Sequence, residues 1–179
     1  MIKWGILSTA KIATEQIIPA ITESKNSIIR GIASRDIKKA KKISKQFDIP
    51  KFFGTYDELL NCKKIDAIYI PLPTSQHVEW SIKSLKAKKH VLCEKPIALN
   101  VKEIDRINLE INKSNKIFSE AFMVYYHPQW KKVKELILNG EIGELKHVQG
   151  CFTYFNIDPK NMRNIPELGG GVLPDIGVY

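Results

Sequence analysis

Short apolar runs alternate with amphipathic stretches along the first two thirds of the chain. Several of these runs are apolar throughout, which is typical of strands buried on both faces of a parallel sheet. The predicted strands are Lys3–Leu7, Ser27–Ala33, Lys51–Phe53, Ala67–Ile70, His90–Cys93 and Lys116–Glu120. Between them, apolar residues recur every three or four positions, which predicts helices over residues 11–22, 37–47, 56–60, 75–86 and 101–114. The alternation predicts an α/β fold with a doubly wound parallel sheet.

Polar residues stand at the junctions where the predicted strands give way to helices. Serine, threonine, aspartate and asparagine side chains satisfy free backbone N–H groups at helix N-termini. Because the carboxyl ends of parallel strands form the ligand crevice of a doubly wound sheet, we expect the functional residues at this edge. The expected caps are Ser8 or Thr9, Asp36, Thr55, Thr74 or Ser75, and Asn100.

The pattern changes after Glu120. A helix is predicted over Pro128–Leu138, followed by one long strand over Leu145–Phe155. No second strand is predicted in the remaining residues, which are rich in proline and glycine. We therefore expect a first domain over residues 1–120 and the start of an incomplete, C-terminally truncated α/β domain over residues 121–179.

Composition narrows the classes of partner. The 179 residues are 44% hydrophobic, which is enough to bury a globular core. The net charge is +9, but the lysines are spread over predicted helix faces without an aromatic-rich basic stripe, so nucleic acid is not an expected partner. No apolar run approaches about 18 residues, so a membrane is not expected. Cysteine and histidine spacing indicates neither a disulfide framework nor a metal site, and a reducing cytoplasm is the expected location.

The first strand-to-helix turn carries a degenerate nucleotide-binding pattern. Serine and alanine replace both glycines of a G-x-G-x-x-A motif that ends at Ala13. Both residues are small enough to let a pyrophosphate approach the backbone N–H groups at a helix N-terminus. A plain strand-to-helix turn explains the same residues. The residues expected to contact a cofactor here are Ser8, Thr9, Ala10, Lys11 and Ile12.

The end of the second predicted strand bears on the choice between cofactors. An arginine at this place accepts the 2′-phosphate of NADP, whereas an acidic residue binds the ribose 2′-hydroxyl of NAD. Arg35 therefore favours NADP, with Ser34 as a further donor and Lys39 as further positive charge. For Asp36, a helix cap is favoured over the ribose contact that would suit NAD.

Two prolines mark the turn after the fourth predicted strand. The residues Pro71, Leu72, Pro73 and Thr74 either wall the cofactor or form a rigid turn with ordinary capping. His77 follows on the first turn of the next helix. It either contacts cofactor or substrate or is a surface residue.

The fifth predicted strand ends in Glu94-Lys95-Pro96, which has the features of a catalytic lysine. Glu94 can orient Lys95 and keep it charged, and Pro96 stiffens the turn. An ordinary surface ion pair between Glu94 and Lys95 explains the same residues.

A second chemical cluster lies in the glycine-rich stretch 168–179. Its tyrosine, Tyr179, is a candidate proton donor. Asp175 lies four residues earlier, on the same face if the segment is helical, and is either part of the site or a helix cap.

Together these stretches resemble the glucose-fructose oxidoreductase, inositol dehydrogenase and MocA family, written Gfo/Idh/MocA. The resemblance runs through residues 4–13, 33–36, 69–77, 90–96, 120–123 and 168–179, and residues 94–96 and 175–179 are its most specific motifs. It implies an N-terminal Rossmann domain and a second α/β domain with an open sheet. It also implies NAD(P)-dependent oxidation or reduction of a sugar, polyol or related diol.

The resemblance also implies roles for individual residues. Lys95 would lie beside the reacting carbon and stabilise a developing alkoxide, while Tyr179 shuttles the proton. Asp175 would orient Tyr179 or bind a substrate hydroxyl, and Glu94 and Lys95 would border the cofactor. NADP is the favoured cofactor, with NAD as the alternative.

Members of the family usually continue beyond the tyrosine. We therefore expect either that a homo-oligomer contact or a complementing chain covers the strand over Leu145–Phe155, or that the second domain is partly disordered. Three functions remain open: an NADP-dependent oxidoreductase, a truncated remnant that binds nucleotide without catalysis, and a regulatory protein that needs a partner chain.

Overall fold

A computed structural model describes residues 1–177 and residue 179. In this part of the chain, six parallel strands form one sheet in the order β3-β2-β1-β4-β5-β6. The predicted Rossmann-type sheet is therefore confirmed. The order reverses between β1 and β4, and such a switch point opens a crevice at the carboxyl ends of the strands. The strands are β1 (Ile2–Leu7), β2 (Ser27–Ala33), β3 (Phe52–Phe53), β4 (Ala67–Ile70), β5 (His90–Glu94) and β6 (Phe118–Ala121).

Helices follow the strands and cover both faces of the sheet. The predicted helix over residues 11–22 contains a π-helical turn, Ala13–Ile17, in which the N–H of Ile18 donates to the carbonyl of Ala13. Pro19 explains this widening, because its ring has no N–H and clashes with the carbonyl four residues earlier. The α-helices are α1 (Ile18–Glu23), α2 (Ile37–Gln46), α3 (Tyr56–Leu60), α4 (His77–Lys86), α5 (Val101–Ser114), α6 (Pro128–Leu138) and α7 (Val172–Asp175).

Three of the predicted helix caps are confirmed. Asp36 accepts hydrogen bonds from the first turn of α2, and Asn100 accepts one from the first turn of α5. Thr55 forms a reciprocal capping box with Glu58 at the start of α3. These caps fix the point at which each chain segment leaves the sheet edge and turns into its helix.

The other predicted caps are wrong. Oγ of Ser8 accepts a hydrogen bond from the backbone N–H of Ala10 within the loop, at 3.1 Å, and the helical turn that follows has no side-chain cap. Thr74 and Ser75 lie inside a 3₁₀ turn, Thr74–Gln76, which also has no side-chain cap and leads into α4. The physical reason is that this tighter turn supplies backbone hydrogen bonds of its own.

The core has two halves, one on each face of the sheet. Neighbouring strand residues point to opposite faces, so Ile6 and Tyr69 belong to one buried cluster while Leu7, Ile68 and Ile70 belong to the other. All five are fully buried. This two-sided burial explains why β4 is apolar throughout and why β1 ends in consecutive apolar residues, and it holds the carboxyl ends of β1, β4 and β5 in fixed register.

The predicted strand over Leu145–Phe155 is wrong for the described residues, because that segment pairs with no other strand. Its apolar side chains lie on the surface, and Phe155 is 85% exposed. A strand needs a neighbour to satisfy its backbone groups, and none lies beside this segment. Helix α6 has no buried residues. No helix among the described residues has both the length and the apolarity needed to cross a membrane.

Candidate active site

The loop after β1 has a backbone geometry that would let a ligand come close to its N–H groups. Ser8 has a φ of 113°, in the region that favours glycine. Its N–H donates to the carbonyl of Ala33 at 2.9 Å, which ties the loop to the end of β2. Such a strained conformation persists only where the surrounding structure holds it in place. Here the unusual φ of Ser8 allows the chain to turn sharply from strand to helix.

The residues after β2 lie beside this loop. The Ser34 hydroxyl accepts a hydrogen bond from the N–H of Asp36 at 3.2 Å, and the Asp36 carboxylate is engaged as the cap of α2. That engagement favours the capping role of Asp36. Lys39 lies in the first turn of α2, and Arg35 precedes the helix on its exposed side.

Tyr56 is a residue of this region that the sequence reasoning missed. It is buried at the start of α3 and packs edge-on against Trp80, with ring centroids 4.9 Å apart. Burial raises the pKa of its phenol, while the charge of Arg35 and the side chain of Ser8 counter part of that rise. Tyr56 therefore lies close to both the β1 loop and Arg35. Its position directly after β3, at the same sheet edge, is the signal that could have identified it.

A large cleft opens at this edge, with a volume of about 1160 Å³. That volume exceeds an ordinary small-molecule pocket and suits a dinucleotide together with a second ligand. Thr9, Ser34, Arg35 and Lys39 lie outside its lining. The sequence-predicted residues that the structure brings together around it are Ser8, Ala10, Lys11, Ile12, Pro71, Leu72, Pro73, Thr74, His77, Glu94, Lys95, Asp175 and Tyr179.

His77 borders the cleft but is not a surface residue, because it is only 1% exposed. Its ring nitrogens lie 2.8 Å from the carbonyl oxygen of Pro96 and 2.7 Å from that of Leu72. Burial lowers the pKa of the imidazole, although both carbonyls and the charges of Glu94 and Glu120 oppose the shift. The ring therefore joins the turn after β4 to the turn that carries Lys95.

The Lys95 side chain points at a residue far along the chain. Its Nζ lies 3.2 Å from Oδ1 of Asp175 and donates a further hydrogen bond to the backbone carbonyl of Asp175. The expected orientation by Glu94 is wrong: the Glu94 carboxylate instead accepts a hydrogen bond from the Tyr69 hydroxyl at 2.6 Å. The two side chains leave the strand end in different directions, because neighbouring residues of a strand face opposite sides. With 11% of its side chain exposed, Lys95 is also not a surface lysine.

Asp175 receives donors from three side chains. Besides Lys95 on Oδ1, its Oδ2 accepts hydrogen bonds from Nε of Arg163 at 2.7 Å and from the Tyr154 hydroxyl at 2.9 Å. Burial raises the pKa of Asp175, but these hydrogen bonds together outweigh burial and leave the pKa below its ordinary value. Asp175 is therefore a carboxylate at neutral pH. The sequence reasoning missed both Arg163 and Tyr154, which lie in segments without a recognisable motif.

Tyr179 closes the group. Its ring stacks on Phe122, with centroids 5.2 Å apart, and Nζ of Lys95 lies 4.7 Å from the centre of the ring. Burial raises the pKa of Tyr179, the charges of Glu94 and Asp175 raise it further, and Arg163 lowers it. The phenol is therefore protonated at neutral pH, which is the state of a proton donor.

Comparison with protein families matches the two parts of the chain separately. Residues 2–122 match an oxidoreductase family described by its NAD-binding Rossmann fold, and residues 130–179 match the GFO/IDH/MocA C-terminal domain. The chain belongs to the GFO/IDH/MocA family. The resemblance predicted from residues 94–96 and 175–179 is thereby confirmed.

Several curated proteins are similar over the whole length of this chain. An uncharacterized oxidoreductase of Rhizobium meliloti is 42% identical over 179 residues, which are 100% of this chain and 54% of that protein. The dTDP-3,4-didehydro-2,6-dideoxy-alpha-D-glucose 3-reductase of Saccharopolyspora spinosa is 35% identical over 99% of this chain and 53% of its own. The chain therefore spans about half the length of these relatives.

A solved structure extends the likeness to three dimensions. A 3-ketoreductase from Actinomadura kijaniata, in complex with NADP and TDP-benzene, superposes with a TM-score of 0.95 at 33% identity. The match covers 99% of this chain and 55% of the ketoreductase. That ketoreductase binds NADP and TDP-benzene in the complex.

Proposed function

We propose that this chain carries the cofactor-binding and catalytic part of an NADP-dependent oxidoreductase. Its reaction would move a hydride between the nicotinamide and a sugar, polyol or diol-like substrate. The observation that supports this most strongly is that Lys95, Asp175 and Tyr179 border the same cleft as the residues Ser8, Ala10, Lys11 and Ile12 of the loop after β1. Proton-transfer groups and a dinucleotide loop are needed side by side for such a reaction.

The described residues fit a dinucleotide. The small side chains of Ser8 and Ala10 leave room over the loop backbone, and the positive charge of Lys11 borders the same space. Arg35 offers a bidentate donor group suited to a 2′-phosphate, and Ser34 lies next to it. NADP is therefore the proposed cofactor, and NAD is the alternative.

Each site residue has a separate part in the proposed chemistry. Bound NADP(H) supplies or accepts the hydride. Tyr179, protonated at neutral pH, gives a proton to the substrate oxygen in the direction of reduction and takes it back in oxidation. Lys95, close to the Tyr179 ring, stabilises negative charge on that oxygen. Asp175 holds Lys95 in place.

The lining of the cleft and the named relatives both support a sugar-like substrate. Asp175, Arg163 and Tyr154 place hydrogen-bonding groups beside Lys95, and Trp130 and Phe152 add apolar surface. Hydroxyl-rich rings need both kinds of contact. The named 3-reductase and 3-ketoreductase relatives support a sugar-like substrate, and reduction of a ring ketone is one form of the proposed reaction.

A second candidate is a nucleotide-binding protein that depends on another polypeptide. The exposed apolar side chains of the segment 145–157 favour it, because Val148, Phe152 and Phe155 lie uncovered on the surface. The covering polypeptide would be a second copy of the chain or a complementing chain. A cytoplasmic location also stays a prediction.

Turnover with reduced cofactor tests the proposal. The purified chain is mixed with NADPH and a panel of keto-sugars, aldoses and diketones, and loss of reduced nicotinamide is followed by absorbance. The Lys95→Ala variant serves as the control. Substrate-dependent oxidation that disappears in this variant supports the oxidoreductase, whereas saturable NADPH binding without turnover on any substrate favours the second candidate.

A further inference from the structure

We propose that Arg163 is a positioning residue of the reaction centre, which holds Asp175 so that its other carboxylate oxygen faces Lys95. The inference rests on the proposed function and adds to it a residue outside the recognised motifs. Arg163 contacts neither Lys95 nor Tyr179 through a hydrogen bond in the described residues. It acts on them through Asp175.

The contacts of Asp175 divide between its two oxygens. Nε of Arg163 lies 2.7 Å from Oδ2, and Nζ of Lys95 lies 3.2 Å from Oδ1. If only one oxygen of an aspartate carboxylate is hydrogen-bonded, the carboxylate can still rotate about the Cβ–Cγ bond. It could then form a closer ion pair with the lysine. With Oδ2 held by Arg163 and Tyr154, the orientation of Oδ1 toward Lys95 is fixed.

Arg163 supplies one of the two positive charges that offset the negative charges near Tyr179. Two carboxylates, Glu94 and Asp175, and two cations, Lys95 and Arg163, act on this corner of the cleft. Loss of Arg163 leaves one net negative charge beside the phenol. A nearby negative charge disfavours ionisation of a tyrosine, so proton release by Tyr179 becomes harder.

The backbone around Arg163 is fixed by several contacts, which distinguishes it from a mobile surface arginine. Its N–H donates to Oδ1 of Asn161 at 3.1 Å, and its carbonyl accepts a hydrogen bond from the N–H of Gly171 at 3.0 Å. Gly170 approaches so closely that a Cβ there would lie 2.7 Å from the Arg163 carbonyl. The segment therefore presents the guanidinium to Asp175 from a defined position.

The titration of Tyr179 tests this role directly. The chain has six tyrosines, and labelling them with ¹³C at the ring carbon that bears the hydroxyl gives one NMR signal each. A Tyr179→Phe variant assigns the signal of interest. In Arg163→Gln we expect the Tyr179 pKa to rise by roughly half a unit to one unit. Arg106 is an exposed arginine on α5 outside the cleft lining, so Arg106→Gln removes the same charge as a control and should leave the Tyr179 pKa unchanged.

A second variant separates charge from geometry and serves if Arg163→Gln does not fold. Arg163→Lys keeps the cation but loses the planar Nε–H donor. It is expected to keep the Tyr179 pKa near that of the wild type, while kcat falls several-fold with an unchanged KM for NADPH. Full wild-type kcat in Arg163→Lys, or an unchanged Tyr179 pKa in a folded Arg163→Gln variant, contradicts the proposal.

The titration needs neither substrate nor cofactor. A Tyr179 shift in Arg163→Gln supports the role of Arg163 even if the wild-type chain shows no turnover, and that result would count against the proposed function alone. Conversely, full turnover by the Arg163→Gln variant together with an unchanged Tyr179 pKa would overturn the role of Arg163. It would not contradict the proposed oxidoreductase function.

Discussion

Lys95 and Asp175 lie 80 positions apart in the sequence, and their side chains meet as an ion pair with 3.2 Å between Nζ and Oδ1. Lys95 comes from the end of β5 and Asp175 from the short helix α7, so the pair joins the Rossmann sheet to the segment that follows it. Both side chains are largely shielded from water, which strengthens their electrostatic interaction. The pair holds Lys95 at the edge of the cleft where the Tyr179 ring also lies.

Replacement of Lys95 by alanine is expected to remove turnover without removing the cofactor. The loss of a preorganised cation beside the reacting oxygen should lower kcat by at least about 10²-fold. NADPH affinity should stay within about threefold of the wild type, because the loop after β1 and Arg35 are untouched. Steady-state kinetics and NADPH titration check the two parts. The exposed Lys86→Ala is the matched control, and equal kcat values for both variants would contradict the catalytic role.

Most of the sheet could be predicted from the sequence because burial on both faces leaves apolar runs in its central strands, of which β4 is apolar and buried throughout. The same reasoning failed for Leu145–Phe155, because strand pairing depends on a neighbour that the described residues do not contain. At the site, Lys95, Asp175 and Tyr179 could be found through sequence motifs. The partners of those residues could not be predicted. Arg163 and Tyr154 contact Asp175 because of the way irregular segments fold, and no hydrophobic periodicity in the sequence encodes that arrangement.

Arg35 is predicted to decide the cofactor preference. Arg35→Ala should weaken the binding of NADPH by roughly 10- to 100-fold, because a charge-assisted hydrogen bond to the 2′-phosphate is lost. The affinity for NADH, which has no such phosphate, should change by less than about threefold. Titration with both cofactors measures the ratio, with Arg106→Ala as a remote control. Equal losses for NADPH and NADH would remove the case for 2′-phosphate recognition.

His77 is predicted to make stability depend on pH. Burial sets the folded-state pKa of His77 below its ordinary value of 6.5, so the unfolded chain takes up the proton first as the pH falls. The stability that His77 contributes is therefore complete above pH 6.5 and is lost as the pH falls toward the lower folded-state pKa. His77→Gln should cost about 1–3 kcal/mol at neutral pH through its lost buried hydrogen bonds.

Urea unfolding at about pH 7.5 and about pH 5.5 checks this dependence. The wild type should lose more unfolding free energy on acidification than His77→Gln does, since the variant has no imidazole to protonate. The other titrating groups are common to both proteins and cancel in the difference. The same loss in both proteins would show that His77 is not the responsible group.

Gly170 is predicted to tolerate no side chain. A Cβ at this position would overlap the backbone carbonyls of Met162 and Arg163, neither of which can move without shifting the turn. Gly170→Ala should therefore lower the unfolding free energy by about 1–3 kcal/mol and displace Arg163 from Asp175. At Gly150 a Cβ would meet nothing within 4 Å, so Gly150→Ala is the control in thermal unfolding. Equal melting temperatures for the two variants would argue against this close approach.

The cofactor claim has a direct test in the binding of NADPH and NADH to the purified 179-residue chain, followed by the fluorescence of Trp4, Trp80 and Trp130. Trp80 packs against Tyr56, next to Arg35, and so lies where bound NADPH should change its surroundings. The account predicts saturable binding of both cofactors, with NADPH at least about tenfold tighter, a difference of about 1.4 kcal/mol. Absence of saturable binding, or equal affinity for the two cofactors, would contradict it.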